Sequence, residues 1–173
     1  PGTRFASDVR RGRLVPLDDD AAAELFDITQ ALTDTAGLPA YETSNQARAG
    51  EESRHNLAYG RDQDYAGIGP GAHGRRGGVA TVRHKKPENW MAAVADKGNG
   101  LSEERALSAS DQVSEALLMG LRLVSGFDQL EELKTMGLPL LDQSLVDLQA
   151  QGLLNHQDGT ISTTLSGRLL LNA

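Results

Sequence analysis

Two histidines with different neighbours are the side chains of this sequence best suited to chemistry. His55 lies in the run R-H-N-L-A-Y, and His73 ends the glycine-rich run G-I-G-P-G-A-H. Imidazole can ligate a metal or transfer a proton near neutral pH. The two residues are 18 positions apart, which is not a usual spacing for metal ligands. A hydrogen-bonded structural role is therefore the alternative at each position.

The glycine-rich run that ends at His73 is the second candidate for ligand binding. Glycines such as Gly69 and Gly71 would let a ligand approach the backbone closely, because no side chain intervenes. The run lacks the third glycine and the following helix of the dinucleotide-binding fingerprint. A tight turn explains the glycines about as well as a ligand does.

Several cations lie close to these segments and favour an anionic ligand. The guanidinium groups of Arg54, Arg75 and Arg76 could each bind a carboxylate through two hydrogen bonds. The basic patch beside the glycine-rich run comprises Arg75, Arg76, Arg83, His84, Lys85 and Lys86. A solvated hairpin explains this patch as well, and the sequence alone favours that explanation.

Composition excludes several classes of function. The 173 residues carry a net charge of −7, which disfavours nucleic-acid binding, because such binding depends on cations that neutralise phosphates. The absence of cysteine excludes disulfides and a thiolate-held metal or cluster in this chain. No apolar run approaches the length of a membrane span, and no secretory leader is visible, so a cytoplasmic location is expected.

The elements that position these residues follow an α/β pattern up to residue 97. Asp18, Asp19 and Asp20 precede an apolar helical face, and Gly37 is a suitable stop. Strands are expected at 40–44, 65–69 and 79–83, and a short helix at 87–95. The break at 97–100 predicts a domain boundary, with one domain at 1–97 and a second at 101–173.

The second domain is predicted to be mainly helical. Helices are expected at 113–124 and 127–136, and a third is expected to begin at Asp142. Asp158 and Gly159 then indicate a tight hairpin, and a last short helix is expected at 165–171. Three helices followed by a hairpin are typical of a winged helix.

Three motifs in order resemble the oxygen-independent coproporphyrinogen III oxidase family of radical S-adenosylmethionine (SAM) proteins, and in particular its heme-chaperone branch. They are Y-E-T-S-N-Q-A-R from Tyr41, R-H-N-L-A-Y from Arg54 and D-Y-A-G-I-G-P-G-A-H-G from Asp64. The C-terminal runs L-L-M-G-L-R and L-S-G-R-L-L-L-N are similar to the C-terminal domain of that family. The resemblance covers nearly the whole chain.

This resemblance implies a fold and a set of cofactors. The chain would be the closing part of a partial (β/α) barrel followed by the helical, winged-helix-like domain. In that family the barrel holds SAM and a four-iron four-sulfur cluster, whose cysteine loop lies in a segment that is absent here. Gly69, Gly71, Ala72 and His73 would then lie on the adenosine side of SAM.

The same resemblance implies tetrapyrrole contacts. The chaperone branch has an H-N-x-x-Y-W motif that is suggested to bind heme, which makes His55, Asn56 and Tyr59 heme candidates and His55 a possible iron ligand. Residue 60 is glycine where that motif has tryptophan. Arg54, Arg75 and Arg76 would pair with tetrapyrrole carboxylates.

Three functions remain open at this point. The chain could belong to a coproporphyrinogen III oxidase-like enzyme, which removes hydrogen from propionate side chains by radical chemistry. It could instead belong to a heme chaperone without oxidase activity. The third is a winged-helix module that binds nucleic acid or protein. Nucleic-acid binding is disfavoured, since residues 142–151 hold two aspartates and no lysine or arginine, and a structural or docking role is favoured for this module.

The lack of cysteine gives a first testable prediction. Without thiolates to hold an iron–sulfur cluster, this chain alone should not reduce SAM. Purified chain supplied with iron, sulfide, reductant and SAM should yield no 5′-deoxyadenosine above a protein-free blank by chromatography. Turnover above that blank would show that the prediction is wrong.

Overall fold

The structure, a computed structural model, describes residues 3–128 and 141–171. Its helices are α1 (Arg4–Arg10), α2 (Asp19–Thr35), α3 (Arg54–Gly60), α4 (Pro87–Lys97), α5 (Ala109–Gly120), α6 (Leu141–Ala150) and α7 (Leu165–Leu170). Its strands are β1 (Ala40–Glu42), β2 (Asn45–Gln46), β3 (His73–Arg76), β4 (Val79–Arg83), β5 (Leu101–Ala106), β6 (Leu154–Gln157) and β7 (Thr160–Thr163). The strands form three small antiparallel sheets, β1-β2, β3-β4-β5 and β6-β7.

The acidic run before α2 caps that helix, as predicted. The Asp18 carboxylate accepts a hydrogen bond from the Ala21 N–H at 2.8 Å, and two further acids occupy the first turn. Negative charge is favourable there because the helix dipole is positive at its N-terminus. The side chains of the apolar face that predicted this helix, Leu25, Ile28 and Leu32, are 45–66% exposed, so this face is not part of the core.

The predicted strand at 65–69 is wrong. Only Tyr65 pairs with β3, through reciprocal backbone hydrogen bonds with Arg75 of 2.8 and 2.9 Å. Gly67 then packs so closely against β3 that a Cβ on it would lie 2.2 Å from the His73 carbonyl oxygen. Residues 65–69 therefore pack closely against the backbone of β3 at Gly67 but pair with it as a strand only at Tyr65.

The three-stranded sheet spans the predicted domain boundary. β4 pairs antiparallel with both β3 and β5, and β5 begins at Leu101. The Leu107 N–H also donates to the Gly78 carbonyl at 2.8 Å. Residues 101–106 are therefore joined by backbone pairing to the preceding segment, although the prediction assigned them to the second domain.

The apolar core lies in the C-terminal part of the described chain. Its buried residues are Val113, Ala116, Phe127, Leu145, Leu154 and Ile161, and Leu117, Leu121 and Leu148 pack against them. They come from α5, α6 and the β6–β7 hairpin, together with Phe127, which exchanges backbone hydrogen bonds with Ile161. One face of each of α5 and α6 and one face of the β6–β7 hairpin thus bury their apolar side chains against each other. This burial is the main stabilising contribution in the C-terminal part.

The hairpin, the third helix and the last helix of this part were predicted correctly. Asp158 and Gly159 both have positive φ, at 52° and 79°, as the tightest hairpin turns require. α6 begins one residue before the predicted Asp142, and α7 lies within 165–171. The helix predicted at 127–136 falls largely outside the described residues. Within residues 3–128 and 141–171, no helix is both long and apolar enough to cross a membrane.

The unequal distribution of the core predicts unequal sensitivity to truncation. Ile161 is 1% exposed, so Ile161→Ala should lower the free energy of unfolding by about 2–5 kcal/mol through lost burial and a cavity. Leu32→Ala, at a position 66% exposed on α2, should change it by less than about 0.5 kcal/mol. Urea denaturation measures both, and equal losses would contradict this assignment of the core.

Candidate functional site

Helix α3 carries the predicted heme motif and begins with a capped turn. The Ser53 hydroxyl accepts from the Asn56 N–H, which fixes the first turn. His55 and Tyr59 lie one turn apart with ring centroids 4.7 Å apart and planes perpendicular, and Tyr59 lies 4.3 Å from Tyr65. Edge-to-face contact of this kind is favourable. The motif therefore presents an aromatic row in which His55 is exposed.

One side of this row borders a cavity of about 330 Å³, which we term the joint cavity. Its lining includes Ser44, Asn45, Asn56, Tyr59, Met119 and Leu123. Asn56 is held in place because its amide donates to the Tyr41 hydroxyl at 2.9 Å. The cavity combines apolar surface with a few polar groups, as small-molecule sites do.

The turn between β1 and β2 forms one wall of the joint cavity and is tied to the segment after α5. Glu42 is buried, and its carboxylate accepts from the Ser44 N–H at 2.9 Å and from the Asn45 amide. An Arg122 Nη2 donates to Glu42 at 3.4 Å and to the Ser44 hydroxyl at 2.9 Å. The Thr43 N–H and hydroxyl both donate to the Arg122 carbonyl. The buried carboxylate is thus fully partnered.

Gly60, where the resembling motif has tryptophan, has a packing reason to be glycine. It ends α3, and a Cβ on it would lie 2.6–2.8 Å from three carbons of the Leu123 side chain. Leu123 is itself buried and pairs with Glu42 in an isolated β-bridge. Leu123 therefore occupies the space that a side chain at position 60 would need.

A second cavity, of about 310 Å³, lies between α5 and the face of the β3–β4 ribbon, and we term it the sheet cavity. Its lining includes Tyr59, Tyr65, His73, Arg75, Leu118 and Met119. Because Tyr59 and Met119 also line the joint cavity, the two cavities adjoin at these side chains. His73 thus lies in a cavity that Tyr59 borders, whereas His55 lines neither cavity.

A cluster of three charged groups also lines the sheet cavity. Arg75, whose side chain is 11% exposed, forms ion pairs with Asp62 and, at 3.2 Å, with Glu115 of α5. Burial raises the pKa of the Asp62 carboxyl, and this effect outweighs the attraction of Arg75. Burial likewise raises the pKa of Tyr65. The one guanidinium group of this cluster is thus shared by two carboxylates, which leaves no excess of positive charge in the cavity.

The three arginines predicted to bind carboxylates differ in their availability. Arg75 is held by two carboxylates within the fold. Arg54 and Arg76 are exposed, and neither has an ion pair among the described residues. Only these two of the three are free to meet an external anion, and they lie on separate elements, α3 and β3.

The glycine-rich run forms a half-buried turn before β3. Gly69 and Gly71 have positive φ of 96° and 73°, which a side chain would strain. A Cβ on Gly69 would meet no atom within 4 Å, so the backbone there is open to approach. Ala72 and His73 follow, with the Ala72 carbonyl accepting from the Arg83 N–H at 2.9 Å. Of the four predicted adenosine-side residues, Gly69, Gly71 and Ala72 thus lie in the turn, whereas His73 begins β3 and lines the sheet cavity.

Sequence reasoning missed the contributions of α5 and the turn that follows it. Glu115 and Met119 of α5 and Arg122 of the following turn line the two cavities. The helix itself was predicted only from its core-facing residues. The signal in the sequence was the pair Leu118 and Met119. These apolar residues extend the helix pattern beyond the face that buries Val113 and Ala116.

Comparison with known proteins places the chain in a family. A model of the HemN C-terminal domain matches residues 107–170. The heme chaperone HemW of Bacillus subtilis (strain 168) is 31% identical over 175 residues, which cover 99% of this chain and 46% of the relative. HemW of Escherichia coli (strain K12) is 33% identical over 184 residues, covering 100% and 45%.

This chain belongs to the HemN/HemW-like radical SAM proteins.

One further sequence relative and one solved structure are also similar to this chain. The radical S-adenosyl methionine domain-containing protein 1, mitochondrial, of Bos taurus is 36% identical over 167 residues, covering 88% of this chain and 38% of the relative. The solved structure of coproporphyrinogen III oxidase (HemN) from Escherichia coli, a radical SAM enzyme, superposes with a TM-score of 0.62 at 21% identity. The superposition covers 84% of this chain and 38% of the HemN chain. At 21% identity, the likeness shows the fold alone. The chain spans less than half the length of these HemN/HemW-like relatives.

The contact between Gly60 and Leu123 generates a stability prediction. Gly60→Ala should lower the free energy of unfolding by about 1–3 kcal/mol, because the new methyl overlaps the Leu123 side chain. Adding Leu123→Ala, which is itself destabilising, should remove most of the penalty of the alanine at position 60. The double-mutant cycle, measured by urea denaturation, should therefore be non-additive by more than about 0.5 kcal/mol. Simple additivity would mean that the two residues do not compete for the same space.

Proposed function

We propose that this chain is part of a radical SAM protein of heme metabolism, similar to coproporphyrinogen III oxidase, and that it contributes tetrapyrrole and SAM-adenosine contacts. The observation that carries the proposal is the position of Tyr59. This residue of the H-N-x-x-Y motif lines two adjoining cavities whose far wall comes from α5, within the part matched by the HemN C-terminal domain. The motif thus faces space for a ligand.

A heme chaperone without oxidase activity is the second candidate, and one specific observation favours it. Relatives that are 31% and 33% identical over essentially the whole chain are named heme chaperones. The oxidase, by contrast, is a neighbour in fold at 21% identity. In both candidates the ligand is a tetrapyrrole, either coproporphyrinogen III or heme. In either candidate the role of α3 is to hold that ligand. The oxidase and the chaperone would differ in whether the whole protein then reacts with it.

The SAM proposal rests on the turn at 69–73. The open backbone at Gly69 and the positive φ of Gly71 leave room for a flat adenine ring to approach main-chain donors and acceptors. SAM, when bound beside a reduced cluster, supplies an organic radical. The cluster does not fit residues of this chain, since it has no cysteine, and its ligands would have to lie elsewhere in the protein.

The finer architecture forms part of the same proposal. We infer that residues up to 106 close a partial (β/α) barrel and that the helical, winged-helix-like domain begins at 107. The pairing of β5 with β4 and the start of the matched domain at Leu107 support the boundary at this point. The order α5, α6, β6–β7 hairpin supports the winged-helix-like arrangement. A docking role within the protein suits this domain better than nucleic-acid binding, because α6 has no lysine or arginine. A cytoplasmic location stays a prediction.

The test of the proposed function is hemin binding. The two cavities lie wholly within this chain, so the 173-residue protein should bind hemin, seen as a shift of the Soret band on titration. His55 lines neither cavity but contacts Tyr59, which lines both, whereas His73 lines the sheet cavity itself. Because the motif resemblance makes His55 the candidate iron ligand, His55→Ala should weaken binding or shift the Soret band more than His73→Ala does. We expect a loss of affinity on the order of tenfold for His55→Ala.

Both residues are exposed, so neither substitution should affect folding. The comparison therefore tests the histidine of the motif against the histidine that lines the sheet cavity. Absence of any Soret shift with the unaltered chain would contradict the proposed function. An unchanged spectrum and affinity in His55→Ala would remove His55 as the iron ligand.

A further inference from the structure

The position of Met119 is not explained by the stability of the fold. α5 buries Val113 and Ala116 in the core, yet it leaves Leu118 and Met119 exposed by 52% and 36%. Two adjacent large apolar residues on the outside of the main core helix cost solvation without contributing to that core. Both line the sheet cavity, and Met119 also lines the joint cavity.

We propose that Met119 and Leu118 of α5, together with Tyr59 of α3, form the apolar surface on which the heme macrocycle lies, so that the C-terminal domain supplies half of the heme site. This inference rests on the proposed function and goes beyond it, because the H-N-x-x-Y motif assigns only residues of α3. We term the combined surface the α3–α5 groove.

The charges around the α3–α5 groove support heme as its occupant. Inside it, Glu42 is paired with Arg122, and Asp62 and Glu115 are paired with Arg75. Three carboxylates against two guanidinium groups leave no excess of positive charge to hold a ligand carboxylate, so the groove suits the uncharged part of a ligand. A flat, largely apolar macrocycle matches this interior.

The carboxylates of such a ligand must then lie at the rim. Arg54 is the first residue of α3 and Arg61 follows its last, so an exposed arginine stands at each end of the helix. Neither forms an ion pair among the described residues. Each end of the helix that carries Tyr59 thus offers an exposed cation to the carboxylates of a ligand, although neither arginine lines either cavity.

The experiment measures the hemin affinity of variants that carry a glutamate at an exposed helical position. Two of the positions face the groove and one does not. Met119→Glu and Leu118→Glu each place a carboxylate on the proposed apolar surface. Met91→Glu is the matched control, since Met91 is 57% exposed on α4 and lines neither cavity. Met119→Leu keeps the volume and apolar character of the side chain but removes the sulfur. Circular dichroism and thermal unfolding verify that each variant folds.

We expect Met119→Glu and Leu118→Glu to weaken hemin binding by about tenfold or more, because an ionised carboxylate cannot be desolvated under the macrocycle without cost. Met91→Glu should bind as the unaltered chain does. Met119→Leu should stay within about threefold of it, since Met and Leu are close in volume.

Three results would overturn the α3–α5 groove. Unchanged affinity in both Met119→Glu and Leu118→Glu would do so while leaving the proposed function intact, provided that the unaltered chain binds hemin. Equal weakening by Met91→Glu would attribute the effect to general repulsion of an anion. Failure of the unaltered chain to bind hemin would overturn both the groove and the proposed function.

Discussion

The buried carboxylate of Glu42 is the constraint on which the arrangement of the candidate site depends. An unpaired buried carboxylate costs several kcal/mol, so the groups that hydrogen-bond it must be brought to it as the chain folds. Two of them, from Ser44 and Asn45, lie in the same turn, and the third is the Arg122 guanidinium, 80 residues later. Backbone hydrogen bonds from Thr43 to Arg122 and from Val124 to Tyr41 reinforce this link. The β1–β2 turn is therefore fixed against the end of α5.

This link explains why two cavities form around α3. The short helix follows the β1–β2 turn, and it packs against α5, which precedes Arg122. Its last residue, Gly60, allows the Leu123 side chain to enter between the two helices. Tyr59 consequently stands at the junction of the N-terminal segment and the C-terminal core. A site formed by two parts of a chain depends on how they pack together. A change in the contact between Glu42 and Arg122 should therefore alter ligand affinity.

What could be predicted from the sequence was set by local interactions. The Asp18 cap, the apolar period of α2 and the Asp158–Gly159 turn each act over a few residues, and the structure has all three elements. The strand expected at 65–69 failed because its backbone is diverted by a tertiary contact, the close approach of Gly67 to His73. The pairing of β5 with β4 is likewise a non-local choice. Local and non-local interactions differ in the same way at the site. The sequence motif identified Tyr59, whereas Met119 lies beside it only through tertiary packing.

The glycine-rich run shows how a functional pattern and a structural one can overlap in the same residues. Gly67 cannot carry a side chain, because the His73 carbonyl lies where its Cβ would be, and this requirement exists with or without a ligand. Gly69 has free space around the position of its missing Cβ, and at Gly71 the nearest atom is 3.8 Å away. Their positive φ values demand glycine, yet the space beside them stays open. A ligand that approaches this backbone therefore has to do so at 69–72, which narrows the adenosine-side proposal to the turn before β3.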